Sequence, residues 1–220
     1  MSKRRIRQYA LEIAGACWQD VETYLITPEI RKRMRFKSMP KIMLVQELKH
    51  ASYDVNKTML LPAFDVENAF SGGIGKFYGG STEHEIWLKE CMYHENVHHI
   101  QNALRWHDMY EQASEATADL ASAVVLAAKV SAERAQYVCS KLLDDARVYG
   151  KRTGDIRRPL GMSRVRTKGR HMERLYASGF PTAYRAYEQL GMEPVLLYPF
   201  KNDEDADSYI ERVKHKMARG

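Results

Sequence analysis

The run His94-Glu95-Asn96-Val97-His98 sets two imidazoles four residues apart with a carboxylate beside the first. On a helix, residues four apart share a face, so both imidazoles can reach one divalent ion. Glu95 is turned from that pair by roughly 100°. It can therefore touch a water activated by the metal without being a ligand itself. A hydrolytic centre of this kind needs a third protein ligand and one open coordination position. Glu115 stands seventeen residues after His98, and Asp119 follows four residues later on the same helical face. The first offers a carboxylate to the ion. The second can accept the N–H of a ligating imidazole, which fixes the ring's tautomer and raises its basicity. Both acids open an otherwise apolar helix, where buried carboxylates need partners. The expected site is zinc on His94, His98 and Glu115, with Glu95 as general base and Asp119 behind a histidine.

Other groups compete or assist. His99 points about 100° away from His98 and is read as a core residue or a support behind the ligands. His107 is a minor rival for the third ligand position. A metzincin pattern would place Gly at 101 and His at 104; Gln101 and Leu104 stand there instead, which excludes that class. Tyr110, Tyr149, Arg170 and His171 could serve a developing oxyanion by residue type, and spacing selects none of them.

HENVH followed by EATAD resembles the gluzincin metallopeptidases, of which thermolysin is the familiar member. The resemblance implies zinc held by His94, His98 and Glu115, Glu95 as base, and Asp119 supporting a histidine. SEATADLASAVVL also resembles the second-helix segment of the ImmA/IrrE-type intracellular proteases, which cleave regulators. The resemblance covers residues 41–130 and rests on short motifs. One departure stands out: the thermolysin pattern has an asparagine just before the ligand glutamate, and here the residue is Ser114. The zincin order of elements places a small twisted sheet before the HExxH helix, with an edge strand that pairs with the extended substrate backbone.

The supporting elements follow from periodicity. Ile6, Tyr9, Ala10, Ile13, Cys17, Val21, Tyr24 and Leu25 predict a helix over 5–26, ended or broken at Pro28 and the run RKRMRFK. KIMLVQEL (41–48) predicts a strand. Tyr53-Asp54 and Met59-Leu60-Leu61 flank a turn-like 55–58, which predicts a hairpin. SGGIGKFYGG (71–80) reads as a loop or a second turn. EIWL (85–88) reads as a short strand and is the expected substrate-pairing edge, with Gly79-Gly80 letting backbone approach closely. It leads into the helix KECMYHENVHHIQNALRW. A second helix is expected from near Met109 to Gly150, apolar nearly all round from Leu120 to Val130 and hence buried. Pro181 and Gly191 bracket a short helix. The acidic Asp203-Glu204-Asp205 precedes a basic amphipathic end. The expected fold is α+β and zincin-like: a small twisted sheet packed on the active-site helix and a long buried helix. It forms one domain at 1–150, with the basic segment and a helical C-terminal extension at 151–220 packed on it.

Bulk properties narrow the class. Hydrophobic residues make up 45% and charged residues 28%, ordinary for a soluble globular chain. No apolar run approaches the roughly 20 residues that span a bilayer, so no membrane partner is expected. Lys3, Arg4, Arg5 and Arg7 precede a stretch interrupted by Glu12 and Asp20, which reads as a helix of the mature protein rather than a secretory signal. Cys17, Cys91 and Cys139 are odd in number and widely spaced, with no CxxC pair. Neither a thiolate zinc knuckle nor a disulfide framework is suggested, and a reducing cytoplasm is the simplest home. Residues 151–174 carry nine Lys or Arg against two acids, enough to account for the whole net charge of +6. That segment reads as a solvated loop or as a contact for nucleic acid or an acidic partner, though it lacks the regular aromatics of a single-strand groove. The expected activity is zinc-dependent hydrolysis of a protein or peptide substrate. The alternatives are a non-catalytic nucleic-acid- or protein-binding protein with a structural metal, and a metal hydrolase acting on a non-peptide bond.

Overall fold

The computed structural model describes residues 3–54, 56–71, 77–78, 81–106, 111–152, 179–202 and 204–219. It is a mixed α+β structure, mostly helical. In chain order the elements are α1 (Lys3–Leu25), α2 (Pro28–Arg33), β1 (Lys41–Val45), β2 (Ser52–Asp54), β3 (Thr58–Pro62), α3 (Ala63–Phe70), β4 (Phe77–Tyr78), β5 (Ser81–Thr82), α4 (Glu83–Ala103), α5 (Glu111–Lys129) and α6 (Ala132–Arg152). Residues 179–190 form α7, followed by α8 (Met192–Leu197) and α9 (Ala206–Met217). No helix among the described residues is long and apolar enough to cross a membrane.

Two compact units share the chain: Met1–Arg105 with Ala121–Gln136, and Trp106–Leu120 with Tyr137–Gly220. In the first unit a three-stranded sheet has the order β1-β3-β2. β1 runs parallel to β3, with Met43 beside Leu60, and β2 runs antiparallel to β3, with Tyr53 beside Met59. The expected hairpin is there. Lys57 closes it at φ 62°, in the left-handed region, and its N–H donates to Asp54 O at 2.9 Å.

Helix α1 buries Ile6, Ala10, Ile13, Ala14, Cys17, Trp18, Val21 and Leu25, the apolar stripe expected from its spacing. Pro28 both ends one helix and opens the next. Thr27 caps α2 by accepting from Ile30 N at 3.3 Å, and a proline in the first turn forfeits no hydrogen bond.

Two expectations fail. Residues 85–88 are not a strand: they lie in α4, which begins at Glu83. Four residues cannot separate the two periods, and here Glu83 and Glu85 sit where the helix dipole favours acids. A Lys89–Glu85 ion pair at 2.7 Å spans the first turns. The helix expected from Met109 to Gly150 is instead two helices, divided at Val130-Ser131. Ser131 Oγ accepts from Arg134 N at 3.1 Å and caps α6. Gly150 therefore falls inside α6 and breaks nothing. Leu120, Ala121, Ala123, Val125 and Leu126 are buried as expected, but burial does not reach Val130: Ala127, Ala128 and Lys129, at the end of α5, are exposed.

The second unit has its own core. Ala113, Ala116 and Leu120 of α5 pack with Phe180, Ala183 and Ala186 of α7 and with Val195, Phe200, Tyr209, Ile210 and Val213. Trp106 Nε1 donates to Leu196 O at 3.1 Å. Arg212 grips Glu204 through Nε and Nη2 at 2.8 and 2.7 Å, a two-point pair that holds the start of α9 in one register. Asp205 caps that helix through Ser208 N at 3.0 Å. Gly191, at φ 79°, ends α7 as expected of a glycine past a helix end.

Gly179, at the start of α7, lies close against Gln112 and Ala116 of α5. A Cβ there would lie 2.8 Å from Gln112 O and 2.9 Å from Gln112 Cγ. At 2.8 Å from a main-chain oxygen the added carbon forces the backbone of one helix or the other to shift. Gly179→Ala is expected to cost about 1–3 kcal/mol, read as a lower urea midpoint at unchanged slope.

Candidate metal centre

Helix α4 carries the HExxH residues and is pinned along its length within the first unit. Tyr93 donates its hydroxyl hydrogen to Asp20 Oδ2 at 2.9 Å. Burial, ahead of the neighbouring Cys17 and Asp20, pushes the Tyr93 pKa up, so the hydroxyl stays protonated and keeps donating. Asp20 also takes Lys129 Nζ at 3.0 Å. Arg134 reaches Glu90 on α4 at 3.2 Å.

His99 shows the use of the face turned away from the ligands. It is 0% exposed and ringed by Trp18, Phe36 and Tyr53. Its Nε2–H donates to Ser38 O at 2.7 Å, and its Nδ1 meets the Tyr53 hydroxyl at 3.0 Å. Burial lowers its pKa, outweighing the opposing pull of the Ser38 carbonyl. His99 is thus a neutral core imidazole, as its position on the helix implied.

The other face of α4 presents His94 and His98. Their Nε2 atoms are 2.9 Å apart, with the rings edge to face at 77°. His98 Nδ1 lies 2.8 Å from Gln101 Oε1. A carbonyl oxygen only accepts, so a neutral His98 carries its hydrogen on Nδ1 and its lone pair on Nε2. That lone pair faces His94. Gln101 is 2% exposed, so the contact is shielded from competing water.

Glu115 completes the group. The ligand atoms of His94, His98 and Glu115 all lie within 4.8 Å of one another, and each residue is half-buried. Two imidazole nitrogens and a carboxylate oxygen form a donor set suited to a divalent metal. The tautomer held by Gln101 is the one a ligating histidine needs. Both tests favour a metal ion here.

The remaining expected residues fall as follows. Glu95 lies on α4 between the two histidines and is only 7% exposed. Asp119 lies one turn beyond Glu115 on α5, half-buried; burial first, and this carboxylate next, push the Cys139 thiol up. Tyr149 falls in α6. His107, Tyr110, Arg170, His171, Gly79-Gly80 and residues 153–174 of the basic segment lie outside the described residues.

Gln101 was not read from the sequence as part of the site. The signal was present in its position, three residues after His98 and so on the same helical face. Thiol chemistry does not compete here. Cys91, one turn before Glu95, is pushed up to about 12 by burial and then by Glu90 and Glu95. Cys17 is also raised to about 12, chiefly by burial. Thiols held that high stay protonated and make poor nucleophiles or ligands.

Comparison of the chain with protein-family models, with curated proteins and with solved structures gave no match. What stands is a His94/His98/Glu115 group able to hold a metal ion, reached from its own geometry.

Proposed function

We propose that this protein is a zinc-dependent metallopeptidase of zincin type, hydrolysing a protein or peptide substrate in the cytoplasm. The observation that carries the reading is the meeting of His94, His98 and Glu115 within 4.8 Å, with a glutamate beside the first histidine. Two histidines and one carboxylate are the ligands of hydrolytic zinc sites that keep a fourth position for water or substrate. Half-burial of all three ligands suits such an open site better than a closed structural one, which favours an enzyme over a metal-propped binding protein. The three free cysteines suit a reducing compartment.

Zinc held by these residues would polarise the scissile carbonyl and bring the pKa of water down towards about 7. Glu95 takes the proton of the attacking water and returns it to the departing amine. Gln101 keeps the His98 ring in one orientation and one tautomer. Asp119 is positioned in sequence to take the N–H of a ligating imidazole. With 85–88 helical, the antiparallel edge strand β2 is the better candidate to pair with an extended substrate.

The test is metal-dependent cleavage. The purified protein, loaded with stoichiometric zinc, is expected to cleave a mixed peptide library. EDTA should abolish the products seen by mass spectrometry, and added zinc should restore them. A zinc-loaded protein that yields no products across the library overturns the peptidase reading.

A further inference from the structure

We infer that the groove between the start of α1 and strand β1 is a docking site for an extended peptide segment of another protein, apolar along its length and acidic at one end. The groove encloses about 370 Å³. None of its lining residues belongs to the metal centre, and the inference does not depend on the peptidase reading.

Three observations converge on it. The first is backbone. β1 is an edge strand: β3 occupies one side, and among the described residues no strand pairs with the other. Edge strands are usually blunted by inward charges, prolines or bulges, yet Ile42, Met43, Leu44 and Val45 form an unbroken apolar run.

The second observation is apolar exposure. Ile6, Ala10 and Leu11 of α1 line the groove together with Ile42, Met43 and Leu44 of β1. Met43 is 50% exposed and Leu11 is 38% exposed. Side chains of an added strand would cover both.

The third observation is charge. Lys3 and Arg7 line one end of the groove. They stand four apart on the helix, so they repel one another. Arg4 and Arg5 are exposed beside them. The first turn of α1 carries no acid, so all four cations crowd the positive end of the helix dipole. Among the described residues none of the four has an ion-pair partner, and Glu67 is the one acid lining the groove. A carboxylate at that end would relieve the repulsion and pair with the helix terminus. An extended backbone suits the edge, apolar side chains suit the groove wall, and an acidic end suits Lys3 and Arg7.

The probe is a fluorescein-labelled octapeptide of alternating valine and serine that ends in two aspartates. Its twin ends in two lysines. Both are titrated with the full chain and followed by fluorescence anisotropy, with and without EDTA. The aspartate peptide is expected to bind in the micromolar range whether or not EDTA is present. Met43→Asp and the double change Lys3→Glu/Arg7→Glu are each expected to weaken it about tenfold. Both variants alter exposed positions, and unchanged thermal melting will show that they fold. Equal binding of the lysine twin, absence of binding, or wild-type affinity in both variants overturns the proposal. So does equal competition by poly-aspartate, which would mean that charge alone is recognised. Self-association that Met43→Asp abolishes in sedimentation would assign the groove to a second copy and also overturn it.

Discussion

Glu95→Gln is expected to keep its zinc and to lose peptide hydrolysis by about 10²–10⁴-fold. The two side chains have nearly the same shape, and at 7% exposure the residue sits in a packed setting where shape matters. An amide cannot accept the proton that the carboxylate takes. The variant therefore removes the base and leaves the packing. Metal content by atomic emission and a thermal melt matching the unaltered protein will establish that the site is intact before rates are compared. Undiminished hydrolysis would remove Glu95 from the mechanism. Loss of zinc with the fold retained would instead make Glu95 a ligand, and the assignment of Glu115 would fall with it.

The metal affinity of two further variants should fall in a defined order. Gln101→Leu removes the acceptor from His98 Nδ1, a contact of 2.8 Å, and leaves that N–H facing an apolar group. Loss of such an outer partner typically costs about 10–100-fold in affinity. Glu115→Ala removes a ligand outright and is expected to cost more than Gln101→Leu. Gln101→Glu, which can still accept from Nδ1, should bind at least as tightly as the unaltered chain. Competition against a chromophoric chelator measures all three and needs no substrate. Wild-type affinity in Gln101→Leu would make the Gln101 contact incidental. Wild-type affinity in Glu115→Ala would place the third ligand elsewhere, with His107 the first candidate.

Much of this was legible because it is local. His94 and His98 share a face by helical rise alone, and so does Gln101, whose role went unread because its neighbours in the sequence give no hint of which acceptor His98 uses. The hairpin of β2 and β3, the apolar stripe of α1 and the Gly191 terminus all follow from short-range patterns of side chains and backbone freedom. The errors were local too. Residues 85–88 hold too few positions to distinguish a period of two from one of 3.6. Ser131 looked like part of a continuing helix, since a serine within a helical run and a serine that caps the next helix differ in backbone angle, not in identity.

Along the chain, then, the spacing of residue types determined the apolar stripe of α1, the hairpin, the shared face of His94 and His98 and the list of groups able to bind a metal. It could not determine that Glu115 comes within 4.8 Å of His94 and His98, that His99 is sealed among Trp18, Phe36 and Tyr53, or that β1 has, among the described residues, a strand partner on one side alone. Those distances depend on how buried apolar faces fit against one another. Such packing is decided by side-chain volumes far apart in sequence, and no short-range pattern contains it.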